Sequence, residues 1–331
     1  MRVREGALLS YRTIFEVLMS IMRETGSPEL PVFTQKYLNS ISMYPHWCRL
    51  VVRLVVLFVN IFMLKAAEKN NAAMPVSSVK LLCTDFDGTL VESSLDRCTQ
   101  EFAEVLSYQR KRGGSWVINT GRSLPYTLEG LAQFHCPVSP DYIITQEREI
   151  YHLSSSGKWQ DFGDWNLRCR RLHNELLLKY QDALEAICKG LTHRSEITPV
   201  RENGIVSGLV ASSEEIMSQV TVELDWACKD LQGWAYQRNN VYLRFCHVDY
   251  HKGSALKELC RLIGFPREVV LAAGDNFNDI AMLDGKHAAM CACPANAIKE
   301  VKEAVLKADG FVASGNHALG VAESVQYFLE R

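Results

Sequence analysis

Two aspartates one residue apart, Asp85 and Asp87, close an apolar run that starts at Val79 and ends in Leu81-Leu82-Cys83-Thr84. Carboxylates at that spacing repel each other unless a cation or a shared proton compensates. The pair therefore points to metal binding, proton transfer or nucleophilic attack. On extended backbone an i, i+2 spacing sends both side chains to one side and turns Phe86 back into the core. Gly88 lets the chain turn sharply and bares N–H groups to an anion. Asp-Gly also closes ordinary turns, so the meaning of the pair depends on what the chain brings beside it.

Three later stretches carry matching chemistry. Thr120-Gly121-Arg122 follows the apolar run 115–119 and delivers a hydroxyl and a guanidinium at a strand end. Lys252-Gly253 opens a helix, where a cation opposes the helix dipole unless an anion compensates. Gly274-Asp275 ends the apolar run 269–273, and Asn278 and Asp279 stand at the start of the next helix. Asp85, Asp275 and Asp279 make an all-oxygen acidic set, which suits a hard cation such as Mg²⁺.

The elements that must position these residues follow from periodicity. Apolar runs bounded by turn residues read as strands buried in a parallel sheet, and ligands of open α/β sheets gather outside the strands' carboxyl ends. Phe102, Val105 and Leu106 predict a helix over 99–111, stopped by Gly113-Gly114. Strand, helix and strand make a right-handed βαβ unit. A helix over 124–134 and a strand at 142–145 continue the rhythm. It breaks over 151–248, where short Gly-linked strands accompany helices over 166–188 and 214–231 and strands at 205–210 and 241–245. This α+β block reads as a smaller domain inserted into the first. Helices over 252–263, 295–306 and 319–329 and strands at 269–273, 288–291 and 311–312 then complete a doubly wound, Rossmann-like α/β sheet. The expected division is an N-terminal extension at 1–74, a first core part at 75–150, the insert at 151–248 and a second core part at 249–331.

Asp85-Phe86-Asp87-Gly88-Thr89 resembles the DxDGT motif of phosphatases in the haloacid dehalogenase superfamily. Thr120 resembles the family's second motif, Lys252-Gly253 the third, and Gly274-Asp275-Asn276-Phe277-Asn278-Asp279 the fourth, in its Cof-like form. Pro294-Ala295-Asn296-Ala297 is similar to the family's turn after the next strand. The resemblance covers about residues 78–331 and is strongest to C2-capped, Cof-like and sucrose-phosphate-phosphatase-like members. It implies a phosphomonoester hydrolase with Asp85 as nucleophile and Asp87 as general acid and base. It further implies phosphate binding by Thr120, Gly121, Arg122, Lys252 and Asn278, and Mg²⁺ held by Asp85, Asp87, Asp275 and Asp279. Asp279 has a second possible part, anchoring Lys252 through an ion pair without touching metal. The expected substrate is a small phosphorylated metabolite, a sugar phosphate. A phosphotransferase or mutase is the alternative, and a non-catalytic regulator is disfavoured because no motif residue is missing.

Glu147, Arg148, His193, Arg201, Glu202 and Asn203 are polar residues of the region that chooses substrate, and each reads more simply as solvated surface. Apolar residues make up 47% of the 331 and charged residues 22%, ordinary for a globular chain. A net charge of −2 makes no electrostatic case for nucleic acid or a membrane surface. The eleven cysteines sit mostly in apolar segments, which suits buried free thiols and a cytoplasmic enzyme better than disulfides. Cys291-Ala292-Cys293 lacks a second pair at zinc spacing and reads as packing. The first 74 residues differ, with nine Lys or Arg against five Glu and an eleven-residue apolar run at 54–64. That run is too short to span a bilayer. A helical extension, a weak anchor and translated sequence upstream of the true start are the three readings of this segment. Oligomeric state has no signature.

Overall fold

The computed structural model describes residues 79–93, 96–192 and 194–331. They belong to a compact unit, Val76–Arg331; the chain's other unit is Met1–Pro75. The apolar run 54–64, the polar stretch after it and His193 lie outside the described residues. Among the described residues no helix is long and apolar enough to cross a membrane.

The first half of the core alternates as its periodicity requires: β1 (Leu81–Thr84), α1 (Gln100–Lys111), β2 (Ser115–Asn119), α2 (Leu124–Phe134) and β3 (Tyr142–Thr145). Helix α1 begins where the Thr99 side chain accepts the Phe102 N–H, and buries Phe102, Val105, Leu106 and Gln109, one face at 3.6-residue spacing. Gly113, at φ 73°, takes the left-handed turn that ends it. The second half supplies α5 (Lys252–Ile263), β10 (Val270–Ala273), α6 (Ile280–Leu283), β11 (Met290–Cys293), α7 (Lys299–Lys307), β12 (Phe311–Val312) and α8 (His317–Leu329).

Between the halves lie β4 (Glu149–Leu153), β5 (Trp159–Asp161), α3 (Trp165–Thr192), β6 (Ile197–Glu202), β7 (Ile205–Ala211), α4 (Glu214–Ala227), β8 (Trp234–Asn239) and β9 (Tyr242–His247). The strands form two sheets, an eight-stranded one ordered β12-β11-β10-β1-β2-β3-β4-β5 and a four-stranded one ordered β6-β7-β9-β8. From β12 to β3 every pairing is parallel; β4 and β5 add antiparallel at the edge. Strands β1 and β10, from opposite halves of the chain, lie side by side at the centre. That is the topological switch point of a doubly wound sheet.

Successive side chains of β1 go to opposite faces. Leu82 joins Phe102, Trp116, Phe134, Val321 and Phe328 under α1, α2 and α8. Leu81 and Cys83 join Leu256, Leu259, Met282, Val301 and Val305 under α5, α6 and α7. In the four-stranded sheet Leu209, Leu243 and Phe245 pack on Leu184 of α3 and on Met217, Val220 and Leu224 of α4. Gln237 and Arg244, paired across β8 and β9, stand on the other face of that sheet.

Two differences from the sequence expectation concern the insert. Residues 149–161, counted from 151 onward with the insert, pair onto the core sheet instead. A short hairpin carries no period that says which sheet it joins; what fixes it is tertiary, since Asn166 at the start of α3 bonds the Ile150 N–H (2.7 Å) and carbonyl (2.8 Å). Helix α4 stops at Ala227, and the half-buried strand β8, absent from the sequence reading, follows Gly233.

Phe102 is fully buried and meets Trp116 edge-on, ring centroids 5.6 Å apart. Phe102→Ala is expected to cost about 3–5 kcal/mol of unfolding free energy, read from urea denaturation. A loss under about 1 kcal/mol would show that α1 is not anchored through this contact.

Candidate active site

The parallel register of β1 and β10 sets Thr84 beside Ala273, and the Asp85 N–H donates to the Ala273 carbonyl (3.0 Å). Asp85 and Asp275 are therefore delivered to the same end of neighbouring strands. Their carboxylates and that of Asp279 have oxygens within 4.8 Å of one another, all buried. Asp275 is held by the Thr89 hydroxyl, which donates to Oδ1 (2.6 Å). Gly88 is required here twice over: its φ is 79°, and a Cβ would lie 2.2 Å from Asp275 Oδ2.

Lys252 enters this acidic group from the start of α5, its side chain wholly buried. Its ammonium donates to Asp279 Oδ1 (2.6 Å) and lies 3.0 Å from Asp85 Oδ2. The other oxygen of Asp279 accepts the N–H groups of Asp275 (2.8 Å) and Asn276 (2.9 Å). Asp279 thus fixes both the lysine and the loop that carries Asp275. Asn119, at the end of β2, donates to the Lys252 carbonyl (3.0 Å) and ties the helix start to the sheet.

The Asp87 carboxylate lies apart from the buried acids Asp85, Asp275 and Asp279, with which the sequence reading counted it as a metal ligand. It accepts Arg122 Nε (2.7 Å) and Nη2, a two-pronged ion pair, and the acid is 43% exposed. The tight turn after Phe86 is what swings it away: Leu90 and Val91 both donate to the Phe86 carbonyl, closing the chain on Gly88. Arg122, expected on the phosphate, spends its remaining Nη1 on the Tyr126 carbonyl (3.2 Å) and lies over the Phe86 ring. Thr120 is buried at the end of β2, its hydroxyl accepting the Arg122 N–H (3.2 Å). The Asn278 amide donates to Glu147 Oε1 (2.7 Å). Gly121, with its carbonyl accepting Arg244 Nη1 (3.2 Å), marks where the four-stranded sheet meets the site.

Sequence reasoning passed over Glu147 and Arg148, which are 5% and 4% exposed rather than solvated. The β3–β4 turn that carries them bonds back to the Thr120 loop, through Gln146 N–H to Arg122 O and Glu147 N–H to Thr120 O (both 2.9 Å). One signal was available: the three-residue connection Gln146-Glu147-Arg148 between β3 and β4 lacks the glycine that a short hairpin loop favours. Arg201, Glu202 and Asn203 are exposed, as expected.

The electrostatics follow from three buried acids around one cation. Burial, then repulsion from Asp279 and Asp275, pushes the Asp85 carboxyl well above its usual range, against the pull of Lys252. Burial, then Asp279, pushes Asp275 up to about 7. Burial works against the Lys252 ammonium, but Asp279 and Asp85 outweigh it and hold the group charged. The cluster is short of positive charge, and its donors are all carboxylate oxygens. It fits a hard divalent cation.

Comparison with known proteins covers the same span. The description "haloacid dehalogenase-like hydrolase" matches residues 189–324, and "Sucrose-6F-phosphate phosphohydrolase" matches residues 78–171. A phosphatase-named protein of Streptococcus pyogenes serotype M6, M6_Spy0533, is 23% identical over 76% of this chain and 99% of its own length. The Bacillus subtilis 5-amino-6-(5-phospho-D-ribitylamino)uracil phosphatase YcsE is 26% identical over 76% of this chain and 96% of its own. The solved sucrose-phosphatase of Synechocystis sp. PCC6803, in complex with sucrose and phosphate, is 20% identical and covers 76% of this chain and 98% of its own. It superposes with a TM-score of 0.57, a likeness of fold. With the acids, the lysine and the inserted four-stranded sheet in these places, the chain is similar in motifs, fold and relatives to haloacid dehalogenase-like phosphatases.

Proposed function

We propose that the protein is a Mg²⁺-dependent phosphomonoester hydrolase acting on a small phosphorylated metabolite, a sugar phosphate, through a phosphoryl group carried on Asp85. The observation that carries this reading is the buried Lys252 ammonium between Asp85 and Asp279, with Asp275 beside them. A nucleophilic carboxylate must approach a phosphate dianion, and the two repel. A fixed cation at 3.0 Å from the nucleophile offsets that repulsion.

Asp85 Oδ attacks phosphorus, the bond to the leaving alkoxide breaks, and Asp87 gives that oxygen its proton. Water then attacks the aspartyl-phosphate after losing a proton to Asp87, which releases inorganic phosphate and returns both acids to their starting state. Arg122 holds the Asp87 carboxylate at the lip of the site. Thr120 and Lys252 bind non-bridging oxygens. Asp85 and Asp275 are the residues that would hold Mg²⁺, with Asp279 behind them. The cation supplies charge neutralisation on the phosphoryl oxygens.

We assign the eight-stranded sheet and its helices to the core and α3 through β9 to the cap, with residues 1–74 as an extension outside both. Eight of the ten cysteines among the described residues are buried and all ten are free, which favours a reducing compartment, the cytoplasm.

Asp85→Asn is expected to lower kcat by at least about a thousandfold with the fold retained; activity within about tenfold of wild type would refute the nucleophile. In Asp87→Asn the phospho-enzyme should accumulate and be seen by mass spectrometry of the quenched protein, whereas fast turnover without it would remove Asp87 from the chemistry. Removing Mg²⁺ with EDTA should abolish phosphate release, and restoring it should recover the rate. Lys252→Met leaves Asp85 and Asp279 buried without their cation. It is expected to cost about 3–5 kcal/mol in urea denaturation, and a neutral result would show the lysine dispensable to the fold.

A further inference from the structure

Two side chains outside the acidic cluster end on one backbone carbonyl. Asn296 Nδ2 donates to Gly88 O (2.7 Å), and His317 Nδ1 lies 2.9 Å from the same oxygen. A carbonyl only accepts, so Nδ1 carries the hydrogen whether the ring is neutral or charged, and both lone pairs of the oxygen are used. The two donors also hold each other, through the His317 N–H to Asn296 Oδ1 (2.9 Å). Neither is a core residue: Asn296 is exposed, and the His317 side chain is 22% exposed.

Both come from loops tied to the site and to each other. Asn296 follows β11, on a turn where Ala297 N–H bonds Pro294 O (3.1 Å) and Ile298 N–H bonds Asp275 O (3.0 Å). His317 follows β12 and opens α8. Its loop is fastened by Glu323 of α8, whose Oε2 accepts the N–H groups of Ser314 (2.9 Å) and Gly315 (3.0 Å). Ala295 N–H to Gly315 O (2.9 Å) joins the two loops. His317 has φ 49°, a left-handed backbone that glycine and asparagine take at less cost. Strain of this kind persists where a side chain has to be aimed.

What these bonds hold is the turn that separates the two acids. Glycine permits φ 79° at position 88, but it is equally free to leave it. Asp85, before the turn, is fixed by its bond to Ala273 in the neighbouring strand. Beyond it, the Gly88 N–H bonds Val91 O (2.7 Å), and the Thr89 hydroxyl bonds Asp275. With the N–H and the carbonyl of Gly88 both bonded, the peptide planes on its two sides are set. The direction of Asp87, toward Arg122, is set with them.

We propose that Asn296 and His317 are positioning residues: by clamping the Gly88 carbonyl they keep Asp87 directed to the leaving group while Asp85 stays with the buried cluster. The proposal rests on the phosphatase reading above. It carries a signature that a merely structural role lacks. An alkoxide leaves only as it takes the Asp87 proton, whereas p-nitrophenolate departs without one. A loosened clamp therefore slows alkyl esters selectively.

The test is steady-state phosphate release by the full chain at saturating Mg²⁺ from two compounds, a hexose phosphorylated on its primary hydroxyl and p-nitrophenyl phosphate. His317→Gly suits the left-handed backbone but has no donor. It is expected to lose at least about tenfold in kcat/KM on the hexose ester and less than about threefold on the nitrophenyl ester. His317→Asn suits the same backbone and keeps a short amide donor, and should recover the hexose rate to within about threefold of wild type. The urea midpoints of both variants should not fall below that of wild type, so that lost folding cannot account for the difference between them. Asn296→Ala removes the other donor and should show the same selective loss, which covers the case in which the His317 variants misfold. Equal loss on the two compounds overturns the proposal. So does a loss under about twofold in both His317→Gly and Asn296→Ala, or a His317→Asn variant no better than His317→Gly. Release from neither compound by wild type defeats the phosphatase reading, and the clamp with it; release by wild type without the selective loss in the variants defeats the clamp alone.

Discussion

One ammonium group, buried among three carboxylates, sets the terms for the rest of the molecule. Removing Lys252 from water is costly, and the cost is offset only because Asp279 accepts its hydrogen bond at 2.6 Å and Asp85 lies at 3.0 Å. Those acids reach it only if β1 and β10 are neighbours, if α5 starts at that spot and if the Asp275 loop is tied to Asp279. The doubly wound order of the sheet is thus the arrangement that makes an otherwise prohibitive charge cluster tolerable. The cluster still holds more negative than positive charge, and burial first, then this imbalance, keeps the Asp85 and Asp275 carboxyls above their usual range.

Around that centre the two sheets divide the labour. The eight-stranded sheet presents backbone ends and fixed charges, all within a few residues of strand termini. The four-stranded sheet covers one of its faces with its own helices and turns the polar face, with Gln237 and Arg244, toward the site. Contact between them is polar and local. Asn276 Nδ2 donates to Asn240 Oδ1 (2.6 Å), the Arg238 guanidinium lies 4.4 Å from the Phe277 ring centroid, and Arg244 reaches Gly121. Two of these contacts fall on the loop between Asp275 and Asp279, so the placement of the cap and of the acidic loop depend on each other.

Much of this was legible because the chemistry lies at strand ends that are marked by abrupt composition changes. Apolar runs stopping at Asp85, Thr120 and Gly274 give both the strands and the residues they deliver, and the spacing between them leaves one gap wide enough for a cap. What escaped was whatever depends on pairing across that gap. The hairpin 149–161 joins the core sheet through Asn166, a contact no local pattern announces. Arg122 follows the β2 strand end as expected, yet its partner is a carboxylate 35 residues away. Glu147 and Arg148 look like surface in sequence because burial is a property of the assembled turn, held down by the Thr120 loop and the cap.

The two aspartates that open the argument show how environment separates identical side chains. Asp85 is buried among like charges and next to a fixed ammonium, so its carboxylate is stabilised by one cation and strained by its acidic neighbours. Asp87, two residues on, is turned outward, 43% exposed and gripped by a guanidinium. The nucleophile proposed in Asp85 needs a lone pair aimed into a dry, positively compensated pocket; the proton shuttle proposed in Asp87 needs access to the leaving group and then to water. The single turn at Gly88 places one acid in each situation, and it can do so only because no Cβ stands between that turn and Asp275.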